Sequence, residues 1–178
     1  MFDVKAIRKD FPMFQNNKEF IYLDSSATSF KPQVVIDAVN DYYLNHSVNV
    51  HRGDYKLSYD TSVLYDGTKD VVARFINAKN AEEIIYTSGA TASLNLVAFG
   101  YALNNLKKDD VILLTEAEHA SNILPWFEVA KRKGAIIRYI PLDQDGYITE
   151  ENLLKVLDEK VKVCTFAEIS NVMGKIQN

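Results

Sequence analysis

The chain has 178 residues, 47% hydrophobic and 25% charged, with a formal net charge of −4. That is the make-up of a globular domain with a real core; acidic and basic residues are interspersed, so a nucleic-acid footprint is excluded, and no apolar run approaches the roughly 18 residues of a membrane span. The start, Met1-Phe2-Asp3-Val4-Lys5, lacks an apolar signal core, and one cysteine, Cys164, excludes an internal disulfide framework, so a reducing, cytoplasmic setting is expected.

Two helices are predicted first. Over 32–46, Val35, Ala38, Val39, Tyr42 and Tyr43 recur at three- to four-residue intervals, and Pro32 takes a favoured first-turn position. Over 59–76 the pattern returns with Val63, Leu64, Val71, Val72, Phe75 and Ile76, and Gly67 is a weak spot inside it. The polar stretch Asn49-Val50-His51-Arg52-Gly53 reads as a loop. Beyond it the rhythm changes to a strand at 83–87, a helix at 90–105 and a purely aliphatic strand at 111–115. Next comes a helix within 119–133 whose regular part begins near Pro125, then a strand at 135–140. A helix at 149–158 capped by Thr149 and a strand at 161–166 complete the series. This alternation predicts a mostly parallel, doubly wound α/β sheet with flanking helices.

Three loops at the carboxyl edge of that sheet carry chemistry. The run Ile84-Ile85-Tyr86-Thr87-Ser88-Gly89-Ala90-Thr91 breaks from apolar residues into small hydroxylic ones and then a helix, the layout of a phosphate-type anion site. The plainer alternative is a β–α turn whose Ser or Thr only caps its own helix. After the 111–115 strand stands His119, which alone reads equally as a helix cap or surface residue. After the 161–166 strand stands Ser170-Asn171-Val172-Met173-Gly174. Ligands in such sheets sit beyond the carboxyl ends of strands, so the three loops together favour a cofactor pocket.

Five segments then stand in order: Tyr22-Leu23-Asp24-Ser25-Ser26-Ala27-Thr28, Asn49-Val50-His51-Arg52-Gly53, Thr87-Ser88-Gly89-Ala90-Thr91 with Asn95, Glu118-His119 with Asn122 and Pro125-Trp126, and Ser170 to Gly174. Together they resemble the N-terminal part of a class V aminotransferase-fold enzyme, most closely a group II cysteine desulfurase. The resemblance covers essentially the whole chain. It implies the first portion of a large domain that binds pyridoxal 5′-phosphate, with 1–58 as an N-terminal segment of strand, helix and substrate-mouth loop and 59–178 as an incomplete cofactor-binding domain. It further implies that Ala90 and Thr91 hold the cofactor phosphate, that His119 stacks over the pyridine ring, and that Asn171 lies near the phenolic oxygen and the substrate carboxylate. Ala27 and His51 would line the substrate mouth.

The implied activity is conversion of L-cysteine to L-alanine with sulfur carried as an enzyme persulfide to an acceptor protein, for iron–sulfur cluster assembly. A homo-oligomer is implied, and no metal site. Departures are visible: Ala90 stands where threonine is usual, Ser88 where arginine is frequent, and Glu168 where histidine is common. Asp54 and Tyr55 replace an apolar residue and histidine. No histidine is followed by lysine, so the lysine that links the cofactor covalently is not found, and Lys175 matches no such position. Cys164 lies within a strand, where a small hydrophobe packs and a thiolate is disfavoured, so it is not taken as the sulfur acceptor. No catalytic residue is therefore assigned within this chain, and alone it is expected to be inactive and to bind pyridoxal 5′-phosphate weakly or not at all. Related enzymes of the same scaffold (a selenocysteine lyase, an epimerase or a kynureninase-like hydrolase) stay open, as does a non-catalytic nucleotide- or phosphate-binding module. The last has neither a Gly-x-Gly-x-x-Gly nor a Gly-Lys-Ser/Thr turn to support it.

Overall fold

The structure, a computed structural model, describes residues 2–177. By packing it forms two compact units, Met1–Ile85 and Tyr86–Asn178.

The first unit is helical. Short helices α1 (Val4–Lys9) and α2 (Pro12–Asn16) precede α3 (Gln33–Asp41), which runs on as a π-helical turn, Tyr42–His46. Helix α4 spans Lys56–Phe75, beginning three residues before the predicted start. Its first turns bury polar side chains, Ser58 and Thr61, which an apolar periodicity cannot reveal. The Ser58 hydroxyl donates to the Asn49 carbonyl at 2.7 Å and accepts the Gly53 N–H at 3.1 Å, tying the 49–53 loop to the helix. Only glycine fits there, because a Cβ on Gly53 would sit 2.5 Å from the Tyr55 ring and 2.7 Å from Ser58.

The second unit holds the core. Ala90–Asn95 (α5), the π-helical stretch Leu96–Ala102 and Leu103–Asn105 (α6) are contiguous, so the predicted helix over 90–105 forms with a widened middle. Then follow β1 (Val111–Leu114), a 3₁₀ turn at Ala120–Asn122, α7 (Leu124–Lys133), β2 (Ile136–Tyr139), α8 (Glu150–Val156) and β3 (Val161–Cys164). Thr149 caps α8 as predicted, its hydroxyl accepting the Asn152 N–H at 3.1 Å. The sheet order is β2-β1-β3, and both ladders are parallel. Strand β1 is thus central, and all four of its residues are fully buried, as an aliphatic strand paired on both edges must be. Ile112 and Leu114 pack with Ala98, Ala102, Trp126 and Val129 from the covering helices.

The expected strand at 83–87 does not form. Residues 81–83 make a 3₁₀ turn; Ile84 is extended and buried, but no described strand runs beside it, and an extended segment without a ladder partner is not a strand. Among the described residues none forms before Val111, so the strand expected within 1–58 is absent too.

Candidate functional site

The turn into α5 is set by Gly89, whose φ of 152° and ψ of 176° are readily adopted only by glycine. No atom lies within 4 Å of where its Cβ would be, so this glycine serves the turn rather than a tight approach. The Thr87 and Ser93 hydroxyls are 2.7 Å apart, and Thr87 also donates to the Gly89 carbonyl at 3.1 Å. Both hydroxyls therefore brace the turn. No side chain caps α5, so the N–H groups of Ala90 and Thr91 have no acceptor within the helix and sit at the positive end of its dipole.

One turn apart along this helix, Thr91, Asn95 and Phe99 line a solvent-open hollow of about 450 Å³. His119, Ser121 and Pro125 line the same hollow from the segment after β1. Two of the sequence-predicted residues, Thr91 and His119, are thereby brought together. His119 is also a cap: its Nδ1 accepts the Ser121 N–H at 3.2 Å and lies 2.8 Å from the Ser121 hydroxyl. With Nδ1 accepting a backbone N–H, the neutral ring carries its proton on Nε2. The capping and ligand-facing readings of His119 are compatible, because they use different nitrogens.

Beneath His119 lies a polar network that sequence reasoning quoted as a motif but gave no role. Glu118 Oε1 accepts the Thr115 hydroxyl at 2.7 Å and the Ala167 N–H at 3.0 Å, while Oε2 accepts Asn122 Nδ2 at 2.6 Å. Asn122 Oδ1 in turn accepts from Trp126 Nε1 at 3.0 Å and from the Thr165 hydroxyl at 2.8 Å. The spacing of Glu118, Asn122 and Trp126 at every fourth residue was its only sequence signal.

Asn171 stands in a tight turn closed by the Gly174 N–H on the Ser170 carbonyl at 2.8 Å. Buried Ser170 donates through its hydroxyl to the Ala117 carbonyl at 3.2 Å, which fastens this turn two residues from His119. Asn171 itself is exposed and does not line the hollow. Ala27 and His51 belong to the first unit. The Ala27 N–H closes a turn on the Asp24 carbonyl at 3.1 Å. His51 has a φ of 62°, donates its backbone N–H to Ser62 Oγ at 2.9 Å and places Nε2 3.4 Å from Asp66. An apolar hollow of about 520 Å³ in the same unit is walled by Val34, Val35, Val39 and tyrosines, with no charged side chain in its lining.

Cys164 differs in packing from its expectation. On β3 the valines turn inward and Lys162 and Cys164 outward, so Cys164 is exposed rather than a core residue. Surrounding residues of the same chain still desolvate its sulfur enough to push the thiol above its ordinary pKa, which disfavours the thiolate as expected. The ammonium of Lys175 lies 4.9 Å from the centre of the Tyr147 ring.

A model of the aminotransferase class-V family matches residues 21–178. A probable cysteine desulfurase of Staphylococcus epidermidis is 44% identical over 176 residues, covering 97% of this chain and 43% of that protein. Among solved structures, a cysteine desulfurase from Thermococcus onnurineus superposes with a TM-score of 0.90 at 35% identity, over 100% of this chain and 43% of its own. The cysteine desulfurase CsdA from Escherichia coli does so with 0.85 at 31% identity, over 100% of this chain and 44% of its own. The chain thus spans under half the length of these relatives.

Proposed function

Because the chain belongs to the aminotransferase class-V family, we propose that it supplies the phosphate-anchoring and ring-facing part of a cysteine desulfurase working with pyridoxal 5′-phosphate. The observation that carries this is the meeting of Thr91 and His119, from separate segments, in one hollow. The donors there fit the cofactor. Its phosphate would be held by the Ala90 and Thr91 N–H groups and the Thr91 hydroxyl at the positive helix end, with one hydroxyl fewer than a threonine at position 90 would offer. The flat imidazole of His119 suits the face of a heteroaromatic ring, and its Nε2 holds a proton available for donation. Asn171 would meet the phenolic oxygen and the substrate carboxylate, and Ala27 and His51 the substrate mouth. When bound, the cofactor supplies an electron sink for bonds at the substrate's α-carbon; these residues bind and orient.

No residue of this chain is given the covalent or sulfur-accepting role. The proposed substrate is L-cysteine, with sulfur leaving as a persulfide for an acceptor protein in iron–sulfur cluster assembly. A reducing cytoplasm is the proposed setting, because it keeps the thiols that accept sulfur reduced; no helix among the described residues is long and apolar enough to cross a membrane. Leu23, 91% exposed, and Phe75, 89% exposed, suit burial in a homo-oligomer.

Titration of the chain with pyridoxal 5′-phosphate tests the reading. Thr91→Val and His119→Ala should each keep the fold and weaken binding by about tenfold, as loss of a charge-assisted contact would. ATP should not compete. Equal binding by the variants, or by ATP, overturns the assignment. Borohydride reduction that labels one particular lysine would overturn the absence of a covalent role.

A further inference from the structure

We propose that Glu118 is a positioning residue for His119, acting through Asn122; its functional meaning rests on reading the hollow as the cofactor site. Position 118 immediately precedes the histidine, and its carboxylate is gripped from three directions. Thr115 reaches it from the end of β1 at 2.7 Å, the Ala167 N–H from beyond β3 at 3.0 Å, and Asn122 from the far end of the 3₁₀ turn at 2.6 Å. The last bond spans the turn that contains the histidine. That same turn is closed by the Asn122 N–H on the His119 carbonyl at 2.7 Å and by the Ser121 N–H on Nδ1 at 3.2 Å. Locking Glu118 and Asn122 together therefore fixes both the backbone under the ring and the N–H that selects its tautomer.

The polarity of the pair is dictated from outside. Asn122 is buried and its Oδ1 accepts from Trp126 and Thr165, so its amide must aim Nδ2 at residue 118. Residue 118 must then present only acceptors, because the Thr115 hydroxyl and the Ala167 N–H also donate to it. A carboxylate meets all three donors; a glutamine would set one amide N–H₂ against another. A paired exchange restores complementarity. In E118Q/N122D the glutamine amide donates to the new carboxylate, whose other oxygen accepts from Trp126 and Thr165.

The test compares the chain with E118Q and E118Q/N122D. The molecule has three histidines and one tryptophan, so the His119 ring nitrogens and the Trp126 indole N–H can be followed individually by ¹H–¹⁵N spectroscopy, with H119A as the assignment control. At mildly alkaline pH the parent should show the Nε2–H tautomer. E118Q should move the indole peak, mix the two His119 tautomers and weaken pyridoxal 5′-phosphate binding by about tenfold. The paired exchange should return both signals and restore affinity to within about twofold of the parent. A folded E118Q with parental His119 and indole signals overturns the proposal, as does a folded double variant whose His119 stays altered. If E118Q does not fold, the double variant alone decides by the same criterion. Should no protein bind the cofactor while the His119 signals change and return as described, positioning by Glu118 is supported and cofactor binding by this chain on its own is refuted.

Discussion

The two units bury their apolar residues very differently. In Tyr86–Asn178 every residue of β1 is fully buried and Trp126 is 2% exposed, whereas in Met1–Ile85 helix α4 buries only Ser58, Thr61 and Ala73. The difference follows from what each unit closes. Strand β1 gains parallel neighbours on both edges and helices over its face, contacts that require segments far apart in the chain. The first unit is made of helices and turns secured mainly by short-range bonds, such as Ser58 to Asn49 and His51 to Ser62. Most of the deep burial lies in the unit with the long-range ladders, and that unit is expected to be the more cooperative.

The largest expected effect tests this directly. Ile112→Ala should cost about 2–5 kcal/mol through transfer and cavity terms. Val39→Ala, at a residue 48% exposed, should cost under about 1 kcal/mol. Urea unfolding followed by Trp126 fluorescence measures both, and similar costs would erase the contrast. Next, the only tryptophan reports on the second unit, so far-UV dichroism should begin to fall at lower denaturant than fluorescence as α4 opens first. Coincident curves would make the chain one cooperative body.

A smaller effect is expected at the α8 cap. Thr149→Ala removes the acceptor of the Asn152 N–H and should destabilise by about 1 kcal/mol, read as a lower denaturant midpoint. The smallest concerns pH. Partial desolvation by surrounding residues holds the exposed Cys164 thiol above its ordinary pKa, so the fold favours the neutral thiol. Its contribution to stability is complete below the unfolded thiol's pKa and is lost as pH rises through the folded value. Alkylation of Cys164 should accordingly rise at higher pH in the folded chain than in urea; superimposed profiles would show a sulfur with no desolvation.

Much of the second unit was legible before any coordinates. The helix over 90–105, the aliphatic strand, the Thr149 cap and the ordered segments bearing Thr91, His119 and Asn171 depend on neighbours within a few residues, which is how propensity, periodicity and capping are written. The segment 83–87 misled for the same reason: its residues favour an extended backbone, but a strand also needs a partner, and none runs beside it among the described residues. The early start of α4 was hidden because Ser58 is buried through hydrogen bonds rather than apolar character.

From its sequence alone this protein had its alternation of helices and strands, and its motifs in order, because each is settled by bonds between close neighbours. Only the tertiary structure decided that β1 is the middle strand, that Thr91 and His119 share one hollow, and that Glu118 joins Ala167 across 49 positions of chain and Asn122 joins Thr165 across 43. Those pairings depend on the sheet first bringing distant strand ends to one edge, and no local pattern carries that distance.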